Sequence, residues 1–149
     1  MQKLVLPILL TLAACGPLPH LQNVTDPAPS IDASTGIEVP AEDARTVEEF
    51  DTTTQEQRDA ATTTASGGES LGTTVASLGD ATSPGFWLET PLVASPRIGR
   101  VRNPATGRTV QVDLRPLPGG GSSRISLAAL RLLEAPLTEL VTLEVFLNS

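Results

Sequence analysis

Two short stretches alternate apolar and polar residues without a break, and they limit what this chain can fold into. Thr109-Val110-Gln111-Val112-Asp113-Leu114-Arg115 places Val110, Val112 and Leu114 on one side of an extended backbone. Val141, Leu143, Val145 and Leu147 do the same near the C-terminus, with Thr142, Glu144 and Phe146 between them. A period of two belongs to a half-buried strand, because successive side chains point to opposite faces. Asn103-Pro104-Ala105-Thr106-Gly107 has turn composition and precedes the first run, so Arg100-Val101-Arg102 is its expected hairpin partner. Residues 73–78 and 87–93 read as further strands, and Pro91 confines the latter to an edge or a bulge. One helix interrupts the pattern. Ser126 is its N-cap, Leu127, Leu130 and Leu133 follow at helical spacing, and Pro136 ends it. Residues 71–149 number only 79 and contain no cysteine, so they can build only a modest core without a disulfide. The expectation is a mainly β unit that closes its sheet into a small barrel with one short helix.

Upstream the composition changes. Met1-Gln2-Lys3 is a short positive start, followed by the apolar run of residues 4–12 and then Ala13-Ala14-Cys15. That run is too short to span a bilayer, which needs ~20 apolar residues, and it suits the apolar region of a signal peptide over residues 1–14. Residues 15–45 are rich in Pro, Ala, Asp, Ser and Thr and cannot bury enough apolar surface to offset ordering. They are expected to form a disordered tether with a root-mean-square span of about 30 Å. Its Ser, Thr and Pro content also fits a glycosylated stalk. Residues 46–70 read as a short helix and a flexible link. Asp51 would cap a helix over 52–61, with Val47 and Phe50 as docking residues. Charge follows the same division: residues 16–80 carry twelve acidic residues against Arg45 and Arg58, whereas residues 81–149 carry seven arginines against five carboxylates. The overall charge of −7 argues against general nucleic-acid binding.

Leu12-Ala13-Ala14-Cys15 resembles the lipobox of bacterial lipoproteins. The resemblance implies cleavage between Ala14 and Cys15, acylation of Cys15 and anchorage to a membrane. Acyl chains hold firmly because each buried methylene contributes roughly 0.8 kcal/mol. Gly16, where sorting patterns for inner-membrane retention have Asp, implies the outer membrane, with the rest of the chain in the periplasm. Further along, Val75-Ala76-Ser77-Leu78, then Val101 through Val112 with Asn103, Thr106, Gly107 and Arg108, then Ile125-Ser126-Leu127 and a final Leu143-Glu144-Val145 follow one another in order. This arrangement resembles the double-psi β-barrel of the RlpA-like family of bacterial cell-envelope lipoproteins, over about half of the chain. Active relatives cleave peptidoglycan glycan strands with an acidic residue directly after the valine-rich strand and an upstream histidine. Here the corresponding positions read Arg115-Pro116-Leu117, the family's aspartate at the helix start is Ser126, and the one histidine, His20, lies in the tether. The resemblance therefore implies a member without that lytic activity.

The remaining chemistry is sparse. One cysteine and one histidine leave no material for a zinc centre, and Ser77 and Ser126 have no histidine in the domain for a nucleophilic relay. No cofactor is expected. Asn23-Val24-Thr25 fits a glycosylation sequon, and Gly119-Gly120-Gly121 lacks the lysine of a phosphate loop. Glycoside cleavage needs two carboxyls flanking the bond. Glu89 and Asp113 are the candidates, against a plain reading in which Asp113 and Glu144 sit on a solvated sheet face. Trp87 beside Glu89 could stack on a sugar ring, or serve as a core aromatic. Arg97, Arg100, Arg102, Arg108, Arg115 and Arg124 fall within 28 residues opposed only by Asp113, a concentration of guanidinium suited to carboxylates and phosphates. Arg100, Arg102 and Arg108, with Trp87 and Glu89, are the candidate ligand-binding residues. A solvated hairpin surface, and pairing with the acidic tether, are the competing readings. The expected function is a membrane-anchored, non-enzymatic binding or structural protein contacting peptidoglycan or an envelope protein. The alternative is a lytic transglycosylase or glycosidase of the same fold.

Overall fold

The computed structural model describes residues 36–63 and 68–148. The expected signal peptide, Ala14, Cys15, His20, the expected sequon and the first two thirds of the expected tether lie outside the described residues. Six strands, β1 (Ser70–Leu78), β2 (Trp87–Thr90), β3 (Arg97–Arg102), β4 (Thr109–Pro116), β5 (Ser123–Ile125) and β6 (Val141–Leu147), close into a barrel in the order β1-β5-β2-β4-β3-β6. The mainly β, double-psi-like barrel with a short helix is thus present. β1 and β5 run parallel, as do β2 and β4, and the other four pairings are antiparallel. The order has an internal symmetry. Exchanging β1 with β4, β2 with β5 and β3 with β6 maps the six pairings onto themselves as a set, each onto one of the same sense.

The alternation read from the sequence points into this barrel. Val110, Val112 and Leu114 of β4 meet Val141, Leu143 and Val145 of β6, Val101 of β3, Leu88 of β2 and Ile125 of β5 in one buried cluster. Full burial of each such side chain contributes roughly 1.5–3 kcal/mol. The interior is not wholly apolar. The Ser123 hydroxyl lies 2.6 Å from that of Thr74 and donates to that of Thr90 at 3.0 Å, so the buried hydroxyls satisfy one another. At Gly99, β3 lies between β4 and β6 and no side chain would fit: an added Cβ would sit 2.4 Å from Leu114 Cδ1 and 2.6 Å from the Phe146 carbonyl oxygen.

Helix α3 (Leu127–Leu132) adds Ala129 and Leu130, and Leu133 just after it, to the same cluster. Ser126 caps it as expected, accepting from the Ala129 amide. The helix stops before Pro136 is reached, and Glu134 turns the chain at φ 51°. The Leu133 carbonyl left over there accepts from Asn103 Nδ2 at 3.1 Å and from the Thr106 hydroxyl at 2.8 Å. The hairpin turn is thereby tied to the helix end.

Four expectations need correcting. β2 is neither an edge nor bulged; it lies between β4 and β5 and ends at Thr90, so Pro91 follows the ladder rather than interrupting it. β5, three residues long, carried no periodicity from which it could be read. The helix expected over 52–61 is α2 (Gln55–Thr62), because Thr54 and Gln57 form a reciprocal capping box. A further short helix, α1 (Val47–Phe50), precedes it with its own box from Thr46 and Glu49. Asp51 is not the N-cap of α2 but the C-cap of α1: its side chain is 1% exposed and its carboxylate accepts from Arg131 at 2.7 Å, with Arg58 at 3.6 Å. Residues 36–45, expected as tether, bury Pro40 and Ala44, and the Ile37 side chain lies beside Gly85. Residues 36–63 are therefore a strap laid on the barrel, with Ala61 of α2 reaching the core cluster.

Candidate functional site

Side chains that alternate away from the core form rows across the outside of the barrel, and strand register assigns their neighbours. The first row joins Glu144 of β6 to Arg102 of β3, with an ion pair of 2.9 Å. The next joins Phe146 to Arg100, whose guanidinium lies 5.3 Å from the ring centre. The third joins Ile98 of β3 to Asp113 of β4 and Asp113 to Trp87 of β2. The fourth joins Arg115 to Glu89 and Glu89 to Arg124, with the Arg124 pair at 3.0 Å.

These rows redistribute the residues singled out from the sequence. Trp87 is 2% exposed. Its indole N–H donates to the Ser83 carbonyl, Gly79 packs on its edge and the Arg115 guanidinium lies 5.2 Å from its ring centre. Such a ring has no open face for a sugar. Glu89 is held by Arg124, Arg102 by Glu144, and Arg108 by Glu134, whose carboxylate keeps the Arg108 guanidinium above its ordinary pKa. Arg100 is buried. The candidates do not converge on one cleft. Ser126 is occupied in capping α3 and in accepting from the Trp87 amide.

A different set does converge. At the start of β3 and the end of β4, Pro96, Arg97, Ile98, Asp113, Leu114 and Arg115 line a groove of about 410 Å³. β6 ends beside Gly99, so Arg97 and Ile98 extend past the last ladder partner on that side. This leaves Ile98 44% exposed. Asp113 is half-buried rather than solvated. Burial pushes its carboxyl above the ordinary aspartate value, against the opposing effect of the Arg115 charge. Neither Arg97 nor Arg115 makes an ion pair among the described residues, whereas Arg58, Arg102, Arg108, Arg124 and Arg131 all do. The groove therefore gathers two guanidinium groups that form no ion pair among the described residues, Arg115 being stacked on Trp87. Arg97, Asp113 and Arg115 were visible in the sequence. Pro96 and Ile98 were not, although the hairpin register that puts Ile98 opposite Asp113 follows from the turn at 103–108.

Among the described residues, no group of three His, Cys, Asp or Glu side chains could hold a metal ion, and no helix is long and apolar enough to cross a membrane. Compared with protein-family models, curated proteins and solved structures, the chain matches none.

Proposed function

We propose that this chain is a lipid-anchored bacterial envelope protein whose barrel binds an envelope ligand, peptidoglycan or a protein partner, without transforming it. Anchorage through Cys15, facing the periplasm from the outer membrane, rests on Leu12-Ala13-Ala14-Cys15 at the end of an apolar run. One observation carries the binding reading. Glu89, Glu134 and Glu144 are each paired with an arginine, while Arg97 and Arg115 line the groove and form no ion pair among the described residues. A surface arranged in this way offers cationic forks to a ligand more readily than it offers an acid–base pair to a bond.

Two measurements test this. Cys15→Ala should shift the chain from the membrane to the soluble fraction, and an unchanged membrane fraction removes the anchor. The purified chain should co-sediment with sacculi and release no soluble glycan fragments. A second reading, a lytic transglycosylase or glycosidase, is favoured by the half-buried Asp113, whose raised carboxyl could retain a proton for a leaving group. Release of fragments that Asp113→Asn abolishes would establish that reading in place of the first.

A further inference from the structure

We infer that the groove between the start of β3 and the end of β4 takes an oxyanion carried on an apolar group, with a carboxylate-terminated ligand as its occupant, held by Arg97 and Arg115. The inference rests on the binding reading above and names the ligand class of that surface. Three features of the groove support it. The first is charge: two guanidinium groups that form no ion pair among the described residues line one groove. Guanidinium forks match the two oxygens of a carboxylate or phosphate. The second is the apolar lining. Pro96 forms part of the wall and Ile98 stands 44% exposed beside the arginines, so the site suits an anion with an aliphatic group next to it. The third is Asp113 on the groove wall. Its own negative charge opposes a dianionic phosphate more than a carboxylate monoanion, by Coulomb's law in a partly desolvated site. Arg115 is pre-set by its stacking on Trp87, which lowers the ordering cost of using it.

The test uses the full chain, isotope-labelled, titrated separately with N-acetylleucine, N-acetylleucine amide and inorganic phosphate. N-acetylleucine should move the amide resonances of Ile98, Asp113 and Arg115 together and saturably. The amide, which lacks the charge, should leave them in place, and phosphate should bind more weakly. Arg97→Gln, at an exposed position that leaves the barrel intact, should weaken the carboxylate roughly three- to fivefold, the scale of one exposed ion pair. Asp113→Asn, which removes the opposing charge, should tighten it. Equal shifts with the amide, an unchanged affinity in Arg97→Gln, or weaker binding in Asp113→Asn would overturn the inference. Tighter binding of phosphate would reassign the site to phosphate-bearing ligands. Sacculus co-sedimentation separates the two levels: if it persists while N-acetylleucine fails to saturate, the ligand class is wrong and the binding reading stands.

Discussion

Replacing Gly99 with alanine probes the tightest point of the barrel wall. The backbone there is ordinary for an L-residue, so alanine meets no conformational strain, and in an open site it would stabilise by about 0.4–1 kcal/mol through the unfolded chain. Space decides otherwise. The new Cβ would lie 2.4 Å from Leu114 Cδ1, 2.9 Å from Leu114 Cγ and 2.6 Å from the Phe146 carbonyl oxygen. The leucine can shift within the core, but the carbonyl belongs to β6, whose Phe146 and Leu147 register with Arg100 and Gly99 of β3. Overpacking of this kind costs about 1–3 kcal/mol or more, so a net loss of about 2 kcal/mol is expected. For a domain of this size that corresponds to a fall in Tm of roughly 10 °C, read by circular dichroism. A double-mutant cycle with Leu114→Ala isolates the cause. Leu114→Ala alone should cost about 2–5 kcal/mol. In that background Gly99→Ala should cost about 1 kcal/mol less, because two of its three close contacts have gone, while the carbonyl contact keeps the residue. A neutral Gly99→Ala, or costs that add to within about 0.5 kcal/mol, would refute the packing argument.

Two further outcomes follow from individual side chains. Asn103 is buried, donates to the Leu133 carbonyl and accepts from the Ala105 amide at 3.0 Å. Asn103→Ala should therefore lower the urea-derived stability by about 1–3 kcal/mol, and a loss under 0.5 kcal/mol would show that water replaces both bonds. Asp113 and Asp80 should give stability–pH slopes of opposite sign. The native Asp113 carboxyl titrates above its unfolded value because it is buried, so its contribution is full at low pH and is lost as pH rises through the raised value; Asp113→Asn should flatten that descent. The Asp80 carboxyl is lowered by the Thr82 hydroxyl and amide, so its contribution is present above the ordinary aspartate range and fades as pH falls; Thr82→Ala should diminish it. Chemical denaturation across pH 3–8 reads both, and slopes of the same sign would contradict these assignments.

What could be read from the sequence divides along physical lines. β4 and β6 were legible because each strand exposes one side and buries the other, and the hairpin because its turn residues sit between two such runs. Ser126 could be read as a cap because Leu127 opens an apolar helical face right after it. β5 was hidden because three residues cannot show a period, and its partners β1 and β2 are distant in the chain. The strap was hidden because its fastenings, the half-buried pairing of Asp51 with Arg131 eighty residues away and the small buried side chains of Ala44 and Ala61, lie inside a composition that reads as tether. The groove was half visible. Its charges stood out as a cluster of arginines, but which of them form ion pairs depends on the folded barrel: Glu144 lies opposite and pairs with Arg102, and Glu89 lies opposite both Arg115 and Arg124 but pairs with Arg124, so Arg97 and Arg115 form no ion pair among the described residues.

The internal symmetry of the barrel has a consequence for the order in which it can form. Every ladder joins one of the first three strands to one of the last three, and no strand pairs within its own half. The first half, emerging alone, has no native ladder to make. Only β3 and β4 are both consecutive and paired, so their hairpin is the local event around which the rest must assemble. β1 must wait for β5 and β6, and the wall closes only when residues near the C-terminus arrive. Closure of this barrel is therefore a cooperative event that waits for β6, and a truncation in β6 should leave an unfolded polypeptide rather than a smaller barrel.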